Sequence, residues 1–139
     1  MAPPKKHSLQ AGASTNELEQ IRNFVSDIAK QAGFGEEQVH DIRLAVDEAC
    51  TNIIKHAYQW DKNNTIGVQV SYHDNKLHIA IKDNGKAFDP DHYQVPTPRE
   101  QLEKKKRSGY GVLLMRTLMD TVEYEKNRTG NILRMTKKR

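Results

Sequence analysis

The chain has 139 residues, of which 36% are hydrophobic and 29% are charged. It is long enough for one domain with a buried core and too apolar for a disordered protein. No apolar run approaches a membrane span and residues 1–6 lack the apolar stretch of a signal peptide, so we expect a cytoplasmic protein without a membrane partner. The single cysteine excludes an internal disulfide, and the formal net charge of +4 is modest.

The N-terminal part of the chain predicts an edge strand followed by a helix. Residues 1–7 are expected to be a flexible tail, and His7–Ala13 is short and partly apolar, as in an edge strand. Ser14 followed by Glu17 matches a capping box, in which each side chain satisfies a free backbone N–H group, and this predicts the start of a helix. The segment Gly33–Gly35 ends that helix.

The second helix, which ends near Tyr58, is the segment around which the chain is organised. Its apolar residues recur at steps of three and four, as on one buried face: Val39, Ile42, Val46, Ala49, Ile53 and Ala57. Glu48 and Asn52 are neighbours on one helix face, where a carboxylate suits a general base and an amide oxygen suits Mg²⁺. The same pair also fits a solvated flank. Trp60, just after the helix, is expected to cap the core.

Two alternating apolar segments then predict an antiparallel hairpin over residues 65–83, with its turn at Asp74-Asn75. The second strand ends at Asp83, and the chain turns sharply at Gly85. A carboxylate at this position can accept a hydrogen bond from a ligand amino group, and the glycine lets a flat ring approach the backbone. Asp-x-Gly is also a common turn in proteins without a ligand.

Residues 84–108 are predicted to form a lid or a binding loop, because they are polar, contain three prolines and are too many for an ordinary connection. The segment Arg107-Ser-Gly-Tyr-Gly111 then opens a third helix. Its two glycines allow backbone N–H groups to point at a phosphate, and Arg107 adds a permanent positive charge. A lone Gly-x-Gly is a weak signal.

A last hairpin, with its turn at Asn127–Gly130, closes the chain. The order helix, helix, hairpin, lid, helix, hairpin predicts a single α+β domain over residues 1–139, a two-layer α/β sandwich with helices on one face of a mixed, mainly antiparallel sheet. The basic runs Lys104–Arg107 and Lys137–Arg139 fit nucleic acid, an anionic ligand or plain solubility. No interleaved aromatic residues or recognition-helix signature accompany Lys104–Arg107, so direct nucleic-acid binding is not expected.

Taken together, Glu48-x-x-x-Asn52, Asp83-x-Gly85 and Gly109-x-Gly111 resemble the N, G1 and G2 boxes of the GHKL ATPases, the class that includes gyrase, Hsp90 and histidine kinase catalytic domains. The closest likeness is to the anti-sigma-factor serine kinases of bacterial stress and sporulation switches. The similar segments are residues 44–58, 83–85, 107–111, 118–120 and 130–131. The resemblance runs from about residue 9 to residue 137 and implies the Bergerat ATP-binding fold.

For the site, this resemblance implies a general base at Glu48, a Mg²⁺ ligand at Asn52 and an acceptor for the adenine amino group at Asp83. Gly85 and Ala87 would line the base pocket. The residues implied at the β/γ-phosphate end of ATP are Arg107, Ser108, Gly109, Tyr110 and Gly111. The family pattern is Asp-x-Gly-x-Gly, and Ala87 replaces its last glycine with a residue whose methyl group narrows the approach to the nucleotide.

The resemblance also implies an activity: a serine/threonine protein kinase that binds ATP, Mg²⁺ and ADP. Family members phosphorylate a STAS-domain anti-sigma factor antagonist, hold a sigma factor inactive and form homodimers. The alternative hypothesis is a non-catalytic or weakly catalytic ATP-dependent switch that binds a protein partner. Glu48 favours the kinase, and Ala87 favours the switch.

Overall fold

The structure, a computed structural model, describes residues 6–58, 60–61, 63–85, 108–127 and 129–139. These residues contain one sheet, in the order β1-β2-β3-β5-β4. Its strands are β1 (Lys6–Gly12), β2 (Thr65–His73), β3 (Lys76–Asp83), β4 (Thr121–Asn127) and β5 (Gly130–Lys138). The four pairings are all antiparallel, which confirms the two-layer α+β prediction and makes the described sheet antiparallel throughout rather than mixed.

The helices are α1 (Leu18–Gln31), α2 (Glu36–Asn52) and α3 (Ser108–Leu118), and α2 packs against both of the others. The apolar stripe of α2 is buried, as its period predicted. Beyond Asn52 the helix widens into a π-helical turn, Ile53–Ala57, and ends at Tyr58. π-Helical turns are rare in proteins, and those that occur are often found at functional sites. No helix in the described part of the chain is long and apolar enough to cross a membrane.

Both predicted hairpins are present, and their alternation places one apolar face under the helices. The buried residues of this face include Ile66, Val68 and Val70 on β2, Leu77, Ile79 and Ile81 on β3, and Leu133 and Met135 on β5. Asp83 lies two positions after Ile81, and its partner across the sheet, Asn131, lies two positions before Leu133. Because side chains alternate along a strand, both polar residues continue the buried rows at one end of the sheet.

Two expectations for the N-terminal part of the chain are wrong in detail. β1 starts at Lys6 and pairs along β2, so the predicted tail of residues 1–7 is two residues too long. Ser14 does not form the predicted capping box, because the chain first makes a 3₁₀ turn at Thr15–Glu17. The backbone N–H of Glu17 bonds to the Ser14 carbonyl at 3.1 Å, and no side-chain cap is made.

Trp60 does not cap the core as expected. Its side chain is 57% exposed, and its φ of 67° turns the chain away from the helix end. Tyr58 takes that place instead, with 6% of its surface exposed.

The basic residues at the end of β5 are tied to the helix layer. Lys137 Nζ donates to the carbonyl of Leu118 at the end of α3 and lies 3.8 Å from the Asp41 carboxylate. Arg139 Nη1 donates to the carbonyl of Ala32, just after α1, at 3.1 Å. Carbonyls at helix C-termini lack helical partners and carry partial negative charge, so cations are favourable there. These contacts give Lys137 and Arg139 a structural role that the sequence alone did not suggest.

A pair of histidines, His73 and His78, stacks near the β2–β3 turn, with ring centroids 3.9 Å apart and 5° between the ring planes. Burial, and then the neighbouring His73, lower the pKa of His78. Burial, and then Lys55, lower the pKa of His56. A histidine with a lowered folded-state pKa takes up its proton more readily in the unfolded chain, so its contribution to stability is lost as the pH falls below about 6.5.

We therefore expect the melting temperature to be lower at about pH 5.5 than at about pH 7.5. The decrease should be smaller in His78→Gln than in the wild-type chain. Thermal melts at both pH values measure this difference. His40→Gln, at an exposed position on α2, is the matched control. An identical pH dependence in His78→Gln and the wild-type chain would contradict the assignment to His78.

Candidate functional site

Four polar side chains are buried within the described residues: Ser26, Asn52, Asp83 and Asn131. Ser26 is satisfied inside α1, where its hydroxyl donates to the Arg22 carbonyl at 2.6 Å. The other three stand at the ends of α2, β3 and β5. Because buried polar groups are unfavourable without a partner, these three residues and the nearby Glu48 are the candidate site. We refer to Glu48, Asn52, Asp83 and Asn131 as the polar end.

The first half of the polar end is on α2. Glu48 is half-buried and Asn52 is 6% exposed, and their spacing of four residues places them on one helix face. Asn52 Nδ2 is buried and has no hydrogen-bond partner among the described residues. A buried donor in this state is suited to an acceptor atom of a ligand, and the Mg²⁺ role of Asn52 stays a prediction.

The structure distinguishes the two adjacent carboxylates of α2. Asp47 accepts a hydrogen bond from Arg22 Nη1 at 2.6 Å, which ties it to α1. Glu48 makes no hydrogen bond or ion pair with any described residue. Of the two carboxylates, Glu48 is therefore the one without a described partner, and its role as a general base stays a prediction.

Cys50, two residues further along α2, is excluded as a nucleophile. It is fully buried in the core. Burial, and then the charge of Asp47, raise the pKa of its thiol to about 12. Since the thiolate is the reactive form, Cys50 serves packing.

The second half of the polar end is at the exit of β3. Asp83 is 7% exposed, and its Oδ1 accepts from Asn131 Nδ2 and from the Gly85 N–H, both at 2.9 Å. Asn131 Nδ2 also donates to the Gly85 carbonyl at 3.2 Å. Both of these hydrogen bonds to Asp83 go to Oδ1, which leaves Oδ2 as an acceptor for a ligand.

Asn131 is the residue that sequence reasoning did not assign. The sequence contained Gly130-Asn131 as part of the family resemblance, without a role for the asparagine. A usable signal was present, because the alternation of Leu133 and Met135 on β5 places Asn131 on the buried face, where a polar side chain needs a partner. What the sequence could not supply is the register that sets Asn131 opposite Asp83.

The two halves of the polar end are joined by a close contact between Gly85 and Ala57. A Cβ atom on Gly85 would lie 2.6 Å from the Ala57 carbonyl oxygen, so only glycine fits there. The space expected to admit a flat ligand ring is therefore filled on this side by the π-helical turn. Gly130 is also required, because its φ is +142° and a Cβ atom there would lie 2.0 Å from the Asp83 carbonyl oxygen.

The predicted phosphate-binding segment falls on the start of α3. Ser108, Gly109, Tyr110 and Gly111 are its first four residues, and the first four N–H groups of a helix have no partner within it. They carry the positive end of the helix dipole, which favours anions. Ala87 and Arg107, with the rest of residues 86–107 of the predicted lid, lie outside the described residues, and the hypotheses for them remain predictions.

These residues fit a nucleotide with Mg²⁺. In the parts of the chain that the structure describes, no group of three or more His, Cys, Asp or Glu side chains could hold a metal ion by itself. Mg²⁺ commonly binds through one or two protein ligands together with water and substrate phosphates. The amide oxygen of Asn52 is the atom that could take that role, while its unpartnered Nδ2 is a donor that suits a phosphate oxygen.

Comparison with known proteins gives consistent results. Residues 12–137 match the model of the histidine kinase-like ATPase domain family. Serine-protein kinase RsbW of Bacillus subtilis is 35% identical over 121 residues, which cover 84% of this chain and 75% of the relative. Serine-protein kinase RsbW of Listeria innocua is 34% identical over 125 residues, 85% of this chain and 78% of the relative. Among solved structures, the RsbU and RsbW domains of Rv1364c from Mycobacterium tuberculosis superpose with a TM-score of 0.66 at 15% identity. That match covers 99% of this chain and 33% of the larger one, and it supports the fold alone.

Proposed function

The chain belongs to the histidine kinase-like ATPase family, and from this premise we propose that it phosphorylates a serine of a protein partner at the polar end. Relatives named as serine-protein kinases, at about 35% identity over most of both chains, make it a protein serine kinase. The observation that carries the proposed site is the polar end itself. Buried Asn52 has no described partner for its Nδ2, and half-buried Glu48 is free one turn earlier.

Each residue of the polar end has a chemical task in this proposal. Glu48 accepts the proton of the attacking serine hydroxyl, and Asn52 provides an amide oxygen for Mg²⁺. Asp83 accepts a hydrogen bond from the adenine amino group at Oδ2, while Asn131 holds its Oδ1. ATP, when bound with Mg²⁺, supplies the phosphoryl group whose charge the metal offsets.

The remaining assignments concern the phosphate end and the lid. In this proposal, the N–H groups at the start of α3 bind the β/γ-phosphate end of ATP, and Arg107 adds positive charge there. ADP is the product that remains after transfer. Positioning and charge stabilisation supply most of the catalysis in phosphoryl transfer, so these contacts matter as much as the base.

The protein substrate is proposed from the family resemblance. We infer a STAS-domain anti-sigma factor antagonist as the phosphate acceptor and a sigma factor as the second partner, bound by a homodimer of this chain in the cytoplasm. The resemblance at the α2 helix and at the exit of the predicted lid supports this choice.

Two measurements test the proposal. Calorimetric titration with ATP should show binding that strengthens with Mg²⁺, and incubation with labelled ATP and candidate STAS proteins should label the partner on serine. Binding without transfer to any candidate would favour the alternative switch, for which Ala87 in place of a glycine is the specific observation. Absence of ATP binding would contradict both.

A further inference from the structure

Tyr58 connects three elements at the polar end without belonging to it. Its ring is buried, and its hydroxyl donates to the Thr65 carbonyl at 2.6 Å, at the first residue of β2. The same hydroxyl accepts from the backbone N–H of Asn84 at 2.8 Å. Burial raises the pKa of this phenol, so it stays protonated and keeps its donor hydrogen at neutral pH.

Asn84 is the middle residue of the turn that carries Asp83 and Gly85. On one side of this turn, Asn131 and the Gly85 N–H hold the Asp83 carboxylate. On the other side, Gly85 lies against Ala57, the residue before Tyr58. The hydroxyl of Tyr58 therefore completes a set of contacts that fixes the turn to both the sheet and the end of α2.

We propose that Tyr58 is a positioning residue for nucleotide binding, which acts by holding the Asp83–Gly85 turn in the conformation in which Asp83 receives the nucleobase. This inference rests on the proposed function of the polar end as an ATP site. Tyr58 does not need to touch the nucleotide. It orders the Asp83–Gly85 turn before the ligand arrives, so that less conformational freedom is lost on binding.

The test is Tyr58→Phe, which keeps the buried ring and removes only the hydroxyl. In the wild-type chain, the backbone amide hydrogen of Asn84 should exchange slowly with solvent, because it donates to the Tyr58 hydroxyl. In Tyr58→Phe it should exchange faster. The KM for ATP should rise about 3- to 10-fold, the effect of one ordinary hydrogen bond, while kcat at saturating ATP stays nearly constant. A purely structural role would lower the melting temperature without this separation of KM from kcat.

Tyr72→Phe is the matched control. It also loses a tyrosine hydroxyl contact, the 3.4 Å hydrogen bond to Asn75 Oδ1 at the far end of the sheet, and should leave both the Asn84 amide and the KM unchanged. An unchanged KM in Tyr58→Phe with faster Asn84 exchange would overturn the inference, as would unchanged exchange. If the wild-type chain failed to bind ATP, the proposed function would be overturned instead. The exchange measurement would still show whether Tyr58 holds the turn, because it does not depend on nucleotide.

Discussion

Replacing Glu48 with glutamine is expected to lower the rate of phosphate transfer by about 10²- to 10⁴-fold, the usual contribution of a general base, and to leave ATP affinity nearly unchanged. Glutamine has the same shape but cannot accept the proton of the attacking hydroxyl. Glu48 makes no hydrogen bond or ion pair with a described residue, so the substitution breaks no described contact. Single-turnover transfer to the partner and calorimetric titration with ATP measure the two quantities separately.

Glu37→Gln is the matched control for Glu48→Gln, because it makes the same change at an exposed position in the first turn of α2. It should transfer phosphate at the wild-type rate. If Glu48→Gln also transferred phosphate at the wild-type rate, Glu48 would not be the base. Asp47→Asn would be a poorer control than Glu37→Gln, since removing the charge of Asp47 would also break its ion pair with Arg22.

The parts of the fold that the sequence predicted correctly are those set by local periodicity. The stripe of α2 and the alternation of β2, β3 and β5 are repeated over many residues, so each element was predicted with nearly its observed bounds. The predicted capping box at Ser14 was wrong because a 3₁₀ turn uses the same backbone donor, the N–H of Glu17. The prediction for Trp60 was wrong because a single aromatic residue carries no period from which its burial could be inferred.

In the candidate site too, the sequence predicted the positions set by local spacing and not those set by contacts between distant residues. Glu48 and Asn52 were paired correctly by their spacing, because four residues on a helix fix a common face. The contacts of Asp83 with Asn131 and of Gly85 with Ala57 join residues 48 and 28 positions apart, and they depend on strand register and on the widened end of α2. No local pattern encodes these two features, so the roles of Asn131, Ala57 and Tyr58 required the structure.

The family assignment depended on order rather than on any one motif. Asp-x-Gly and Gly-x-Gly occur in many proteins, but a helical carboxylate and amide, a strand-end aspartate and a glycine pair at a helix start rarely follow one another at these distances. The match of residues 12–137 to the histidine kinase-like ATPase domain family confirms the resemblance that these motifs carried. The structure adds that the Asp83-x-Gly85 motif contacts the π-helical turn that follows the Glu48-x-x-x-Asn52 motif, through Gly85 and Ala57.

The Asp83→Asn substitution is expected to weaken ATP binding by roughly 10- to 100-fold, the effect of losing a hydrogen bond to a charged group. The two donors at Oδ1, Asn131 Nδ2 and the Gly85 N–H, force the new amide to keep its oxygen on that side. The amide NH₂ group then takes the place of Oδ2 and faces the ligand. An amino group on the nucleobase meets a donor instead of an acceptor, so the hydrogen bond is replaced by repulsion.

Calorimetric titration with ATP measures this loss, and Asp74→Asn is the matched control. Asp74 is exposed at the β2–β3 turn with a φ of 56°, a conformation that asparagine adopts readily, so the control should bind ATP like the wild-type chain. Because Asn131 and Gly85 keep their acceptor, Asp83→Asn should also remain folded, which a thermal melt checks. A folded Asp83→Asn chain with wild-type affinity would show that the carboxylate only shapes the turn and that the nucleobase is read elsewhere.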